Sequence, residues 1–316
     1  MRLRNIPLLN SAAGWARELR ERRRRGHLAA RALPTMVAVE LTNVCNLRCA
    51  KCPLSRTKRP RGFLDETLFG KVLHDVESSG GSTEIALSGA GEPTLHPGVV
   101  DFVRAAREIP NVGVIGFATN GVELTPDLSE ALLDAGLTRL KASLDAEDAA
   151  RYLRFNGVDA YDRVASNFRS FCEINKKTGS RCEVTLKVTL YDRDLALGRR
   201  ITQQWSGHVD RVRVTGLHNW GGTRGGKVPC VHRPPCPLIW HQVQILWDGQ
   251  ITLCCIDSME GCMKLADASE VDLSDYWRRN PDLARIRREH EGGDLSGLPL
   301  CANCDMSLYS DLDIPG

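Results

Sequence analysis

Residues 36–52 read Met36-Val37-Ala38-Val39-Glu40-Leu41-Thr42-Asn43-Val44-Cys45-Asn46-Leu47-Arg48-Cys49-Ala50-Lys51-Cys52. The first six, apolar except for Glu40, read as a strand that runs straight into a cysteine loop. The loop has the spacing Cys-x3-Cys-x2-Cys. Three thiolates so placed can hold three corners of a cubane 4Fe–4S cluster, because soft sulfur ligands suit iron–sulfur clusters. The fourth iron is then left open to a small molecule. Zinc is the competing reading. Its sites pair cysteines as C-x2-4-C with a second pair or histidines close by, and this trio has no fourth ligand nearby.

Working outward, strand-like and helix-like patterns alternate. Strands are expected at 36–41, 84–89, 112–118, 139–144, 182–189 and 209–214. Helical patterns fall between them, for example at 65–78, 99–108 and 128–134. Such alternation indicates parallel βαβ units and an α/β fold. Six repeats suit a partial (β/α)6, TIM-like barrel, with functional residues at the C-terminal ends of strands. The cysteine loop follows the first strand, as that rule requires.

Further motifs sit at those strand ends. Ser88-Gly89-Ala90-Gly91-Glu92-Pro93 follows the second, Thr119-Asn120-Gly121 the third and Ser143-Leu144-Asp145 the fourth. Glycines there let the backbone approach a ligand closely, and a carboxylate accepts hydrogen bonds from an ammonium group. With these motifs behind the cysteine loop, the chain resembles the radical S-adenosylmethionine (SAM) superfamily. The resemblance implies that Cys45, Cys49 and Cys52 hold a cluster whose open iron chelates SAM. Reductive cleavage of SAM then gives a 5′-deoxyadenosyl radical that removes a hydrogen atom from a substrate. It also implies that Glu92 grips the SAM amino group and that Asn120 and Ser143 meet its ribose and carboxylate. A turn or helix-cap role for Asn120 and Ser143 stays open. Lys187, on the fifth strand, is placed to meet a carboxylate or to snorkel to the surface. Lys51 stands where the family often has an aromatic residue near the adenine, so that contact is made differently here.

The C-terminal stretch changes character. Residues 229–316 hold seven of the twelve cysteines and prolines at 229, 234, 235 and 237, a poor composition for a large apolar core. Cys236, Cys254 and the Cys301-x2-Cys304 pair resemble the ligands of the SPASM and twitch modules of radical SAM enzymes. That resemblance implies one auxiliary 4Fe–4S cluster; a structural zinc knuckle is the alternative. Cys172, Cys182, Cys230, Cys255 and Cys262 are left over. Cys172 and Cys182 are expected to be packing residues. Cys255 follows an expected ligand, and its thiol is the expected hydrogen-atom donor.

These readings give three regions: a basic helical extension at 1–33, the partial barrel at 34–226 and a twitch/SPASM-like module at 227–316. The run Arg22 to Arg25 is expected to be a solvated helix face. A net charge of +3 is too small to argue for nucleic acid. No apolar run approaches eighteen residues, and no signal-peptide core is present, so a cytoplasmic protein without membrane contact is expected. The resemblance implies an electron donor such as flavodoxin or ferredoxin, and its architecture is similar to that of epimerases of aminoglycoside biosynthesis. An amino-sugar substrate epimerised with the help of Cys255 is the leading expectation. Dehydrogenation of an amino-cyclitol alcohol is second, and modification of a ribosomal peptide third. Asp145, Glu147, Asp148 and Asp257 are the acids available to a polycation, each equally readable as a solvent-facing charge.

Overall fold

A computed structural model describes residues 12–192, 194–223 and 233–308. Cys230 and residues 224–226, at the expected boundary between the barrel and the C-terminal module, lie outside these residues. Six parallel strands form where the alternation places them: β1 (Met36–Val39), β2 (Thr83–Ala86), β3 (Val112–Thr119), β4 (Arg139–Ser143), β5 (Glu183–Leu190) and β6 (Arg211–Gly216). Between them run α2 (Glu66–Ser78), α3 (Val99–Glu108), α4 (Pro126–Asp134), α5 (Ala149–Asn156), α6 (Tyr161–Lys177) and α7 (Leu195–Trp205), while α1 (Ala12–Ala29) precedes the sheet. Helix starts carry their own signals. Asp65, Thr125, Asp148 and Asp194 each accept a backbone N–H from the first turn of α2, α4, α5 and α7.

The strands lie in sequence order from β6 to β1, as right-handed βαβ crossovers produce. This is an α/β fold built on a partial TIM-like barrel. Val37, Val39, Ile85, Leu87, Ile115 and Phe117 pack under the helices, none more than 2% exposed. Their alternate neighbours face the lumen, because side chains change face with every residue along a strand.

The C-terminal stretch departs from expectation. It does not form a core of its own. β7 (Gln242–Ile245) pairs in parallel with β1, from Met36 opposite Gln242 to Val39 opposite Ile245. β8 (Gln250–Thr252) and β9 (Lys264–Asp267) continue the same sheet in antiparallel fashion. One apolar cluster runs through both regions and includes Val37, Ile85, Trp240, Ile245, Trp277 and Ile286. The reason is the free edge of β1, whose N–H and C=O groups need a partner. Cysteine content hid a short alternating stretch, Gln242-Val243-Gln244-Ile245, long enough to supply one.

The remaining helices, α8 (Leu238–His241), α9 (Leu273–Arg279), α10 (Pro281–Gly292) and α11 (Pro299–Asn303), cover this extension. Helix α1 docks on it. Arg22 to Arg24 are exposed, but Arg25 lies over the Trp240 ring and pairs with Glu291. The Trp277 indole donates to the Leu28 carbonyl at 3.2 Å. No helix among the described residues is long and apolar enough to cross a membrane. A shared core unfolds as a unit. Trp277→Ala is expected to lower the stability of the whole chain by roughly 3–5 kcal/mol in one urea transition. Two separate transitions would show that the C-terminal stretch folds independently.

Candidate active site at the open end of the barrel

The cysteine loop is held by α5. Arg48 and Ala50 donate their backbone N–H groups to Asn156 and Phe155 carbonyls at the end of that helix, at 3.0 and 2.7 Å. The Asn156 amide donates to the Cys49 sulfur at 3.5 Å. One turn earlier, Tyr152 is fully buried beside Cys49 and Asp145, with its hydroxyl unpartnered among the described residues. Burial pushes the Cys45 thiol up to about 11 and Cys49 up to about 12. Such thiols keep their protons unless a cation compensates, as iron does. No three of the described Cys, His, Asp and Glu side chains stand close enough to grip one ion. A cubane, whose iron corners each take a different thiolate, asks for wider spacing than a zinc site.

The residues expected around SAM differ in their freedom. Glu92 is 2% exposed, and four donors already fill most of its acceptor positions. Thr94 N, the Thr94 hydroxyl and the Thr119 hydroxyl reach Oε1, and Asn120 N reaches Oε2. These bonds tie the end of β2 to the end of β3 and leave Oε2 with one donor, Asn120 N. Asn120 is likewise engaged. Its amide donates to Asn46 at 2.8 Å, and its oxygen receives Val122 N at 2.9 Å. Ser143 and Lys187 lie opposite one another in the β4–β5 register and face the lumen. Lys51, in place of an aromatic residue, forms an ion pair with buried Asp145, whose other oxygen receives Thr189 N at 2.6 Å.

A network that sequence reasoning missed joins this loop to the C-terminal extension. Glu40, fully buried beyond the end of β1, receives both guanidinium nitrogens of Arg59 at 2.5 and 3.1 Å. It also accepts Ala90 N at 2.8 Å and Trp247 N at 3.3 Å. Gly89 is required here, since a Cβ on it would lie 2.4 Å from Glu40 carbons. Arg59 donates onward to the Ser258 carbonyl. Ser258 in turn bonds the carbonyls of Cys254 and Cys255. A charge inside a strand-like run was the available signal for Glu40; nothing local marked Arg59.

Cys236, Cys254, Cys301 and Cys304 line one pocket, walled otherwise mostly by apolar side chains such as Leu238, Ile239 and Leu253, with His290 and Ser307. Backbone N–H groups of Leu238, Asp257 and Met306 bond the sulfurs of Cys236, Cys254 and Cys304. Burial pushes Cys236 and Cys301 up to about 12. A sulfur-only donor set with N–H bonds to sulfur, in an apolar pocket, fits an iron–sulfur cluster. Cys255 is not part of that lining. Its thiol bonds Gln242 and feels the charges of Lys187 and Lys141, and it lies near enough to Cys236, Cys254 and Cys304 to act on them as well. Cys172 and Cys182 are buried in the main core, Cys262 is exposed, and no disulfide joins the described cysteines.

The acids expected to be available to a polycation are all engaged. Asp145 holds Lys51, Glu147 holds Arg200 at 2.6 and 2.9 Å, and Asp148 caps α5. Asp257 is fully buried and receives Thr252, Cys262 N and Met263 N.

The radical SAM superfamily matches residues 39–190, and the iron–sulfur cluster-binding SPASM domain matches residues 236–305. The chain carries a radical SAM domain and an iron–sulfur cluster-binding domain. These domains imply a 4Fe–4S cluster, SAM and auxiliary iron–sulfur binding. Curated relatives match over a part only. GTP 3′,8-cyclase of Synechococcus elongatus is 36% identical over 129 residues, 40% of this chain and 38% of its own length. A tungsten-containing aldehyde ferredoxin oxidoreductase cofactor-modifying protein of Pyrococcus furiosus is 35% identical over 114 residues, 36% of this chain and 31% of its own. The chain thus spans less than two fifths of these relatives. Likeness to solved structures is broader. BtrN in complex with AdoMet and 2-DOIA superposes with a TM-score of 0.61 at 21% identity, over 86% of this chain and 93% of that one. SuiB of Streptococcus suis, bound to precursor peptide SuiA, gives 0.66 at 16% identity, over 86% and 72%. At such identities these radical SAM structures share the fold.

Two outcomes check this geometry. Anaerobically reconstituted protein is expected to carry about eight irons, falling to about four in the Cys45/Cys49/Cys52→Ala variant by colorimetric assay. Arg59→Met leaves the Glu40 charge buried without its partner and is expected to cost about 3–5 kcal/mol in urea unfolding. Adding Glu40→Gln to it should recover much of that loss.

Proposed function

We propose that this radical SAM enzyme epimerises a carbon of an aminoglycoside-like small molecule, with Cys255 returning hydrogen. When bound, the cluster and SAM supply the 5′-deoxyadenosyl radical that removes a hydrogen atom from the substrate carbon. Cys45, Cys49 and Cys52 would hold the cluster. Ser143 and Lys187, at the open end of β4 and on β5, would orient SAM, while Glu92 and Asn120 fix the loops around it. Cys236, Cys254, Cys301 and Cys304 would hold the auxiliary cluster.

The observation that carries the reading is the divergence of two adjacent cysteines. Cys254 lines the auxiliary cavity, whereas Cys255 is outside that lining and bonds Gln242, with Lys187 near enough to act on its thiol. A hydrogen-atom donor must keep its S–H bond. Burial raises the Cys255 thiol above its ordinary value, against the lowering influence of Lys187, which favours that form. In the step itself the S–H bond breaks and a C–H bond forms on the opposite face of the carbon radical. The sulfur is left one electron short. One electron from a ferredoxin or flavodoxin, with one proton, restores the thiol.

Dehydrogenation is the second reading, favoured by the likeness to BtrN over 93% of that chain. The carbon radical would then lose a proton to solvent and an electron to the auxiliary cluster that Cys236, Cys254, Cys301 and Cys304 would hold, giving a ketone. Peptide modification, after the likeness to SuiB, is third. Mass spectrometry of product formed in deuterated water separates them. The epimer gains one deuterium and keeps its formula, while a ketone loses two hydrogens. Cys255→Ala is expected to form 5′-deoxyadenosine and no epimer. Epimer from that variant at the wild-type rate would overturn the role of Cys255.

A further inference from the structure

Helix α10 turns one face inward, with Leu283, Ile286, Arg287 and His290 buried on it. Their spacing of three, four and seven residues puts all four in one stripe. His290, in the last turn, is 4% exposed and lines the pocket of Cys236, Cys254, Cys301 and Cys304. Its ring is held from two sides. The Cys236 backbone N–H donates to Nδ1 at 3.4 Å, and the Trp240 ring meets it edge-on with centroids 6.4 Å apart.

A ring nitrogen that accepts carries no proton, so the N–H of this imidazole is on Nε2. Nε2 is buried and has no hydrogen-bond partner among the described residues. The charged neighbours do not supply one. Arg233 has donors only, and its two terminal nitrogens reach the Ala302 and Cys304 carbonyls. Glu289, next to His290 in the helix, pairs with Arg285. A buried donor costs free energy unless something accepts it. The pocket offers four sulfurs, apolar side chains and the Ser307 hydroxyl. Negatively charged sulfur is the strongest acceptor of these.

We propose that His290 donates its Nε2–H to a sulfur of the auxiliary iron–sulfur cluster and raises the reduction potential of that cluster. The inference rests on the reading that these four cysteines hold such a cluster. Hydrogen bonds to the sulfurs favour the reduced, more negative state and so move the potential upward. A site of higher potential takes up an electron more readily, the property on which the dehydrogenation reading draws. His290 acts here on the cluster and touches neither SAM nor substrate.

The test reads a potential rather than turnover. In the Cys45/Cys49/Cys52→Ala background only the auxiliary cluster remains, and EPR-monitored redox titration of the reconstituted full chain follows its midpoint. His290→Gln and His290→Asn separate the two roles of the ring. The Gln amide reaches the place of Nε2 and keeps a donor there. The Asn amide reaches only the place of Nδ1 and keeps an acceptor for Cys236 N. His290→Asn is expected to hold about four irons and to disfavour reduction about tenfold or more, a downward shift of about 59 mV or more for one electron. His290→Gln is expected to stay within a few-fold of the background protein. An unchanged potential in His290→Asn, a larger shift in His290→Gln, or loss of iron from His290→Asn would each overturn the proposal. Background protein without iron would overturn the cluster reading and the proposal with it, and the iron count alone tells that outcome from the others.

Discussion

A carboxylate with no access to water must be matched where it lies, and the open end of this barrel is organised around one. Glu40 sits just past β1 and accepts from Arg59, Ala90 and Trp247. Those donors come from the loop after the cysteines, the loop after β2 and the hairpin of the C-terminal extension. Removing any donor would leave part of a charge desolvated, so the three segments are fixed relative to one another. Arg59 extends the constraint to Ser258 and thereby to Cys254 and Cys255. The Gly62 backbone, which lies against the Trp247 ring, adds an apolar contact across the same junction. The distance between the two cysteine sites is thus set by one buried ion pair and the backbone groups it satisfies.

Burial also divides the polar groups of the site into those that build it and those left to act. Glu92, Asn120, Asp145 and Asp257 have the residue types expected of ligand contacts, yet each is occupied by hydroxyl groups, backbone amides or a lysine. They carry the geometry of the strand ends. Ser143 and Lys187 face the lumen instead.

Much of the fold was legible locally. The apolar alternation gave six strands within a few residues of their observed ends, because side-chain direction in a strand depends only on position along it. The Cys45–Cys52 spacing was legible for a similar reason: three ligands within eight residues constrain one another through the chain itself. The share of the C-terminal stretch in the main core was not legible. Its cysteines stood out in composition, whereas the pairing of β7 with β1 joins positions about two hundred residues apart and leaves no local mark.

By itself the sequence determined the superfamily resemblance, the barrel repeat and the cysteines available for clusters. Tertiary structure alone decided which of the candidate polar residues remain free. Glu92 and the four acids offered to a polycation could not be sorted from Ser143 and Lys187 by type or spacing. Their fates depend on hydrogen-bond partners brought in from other strands and loops, and only the folded chain assigns those partners.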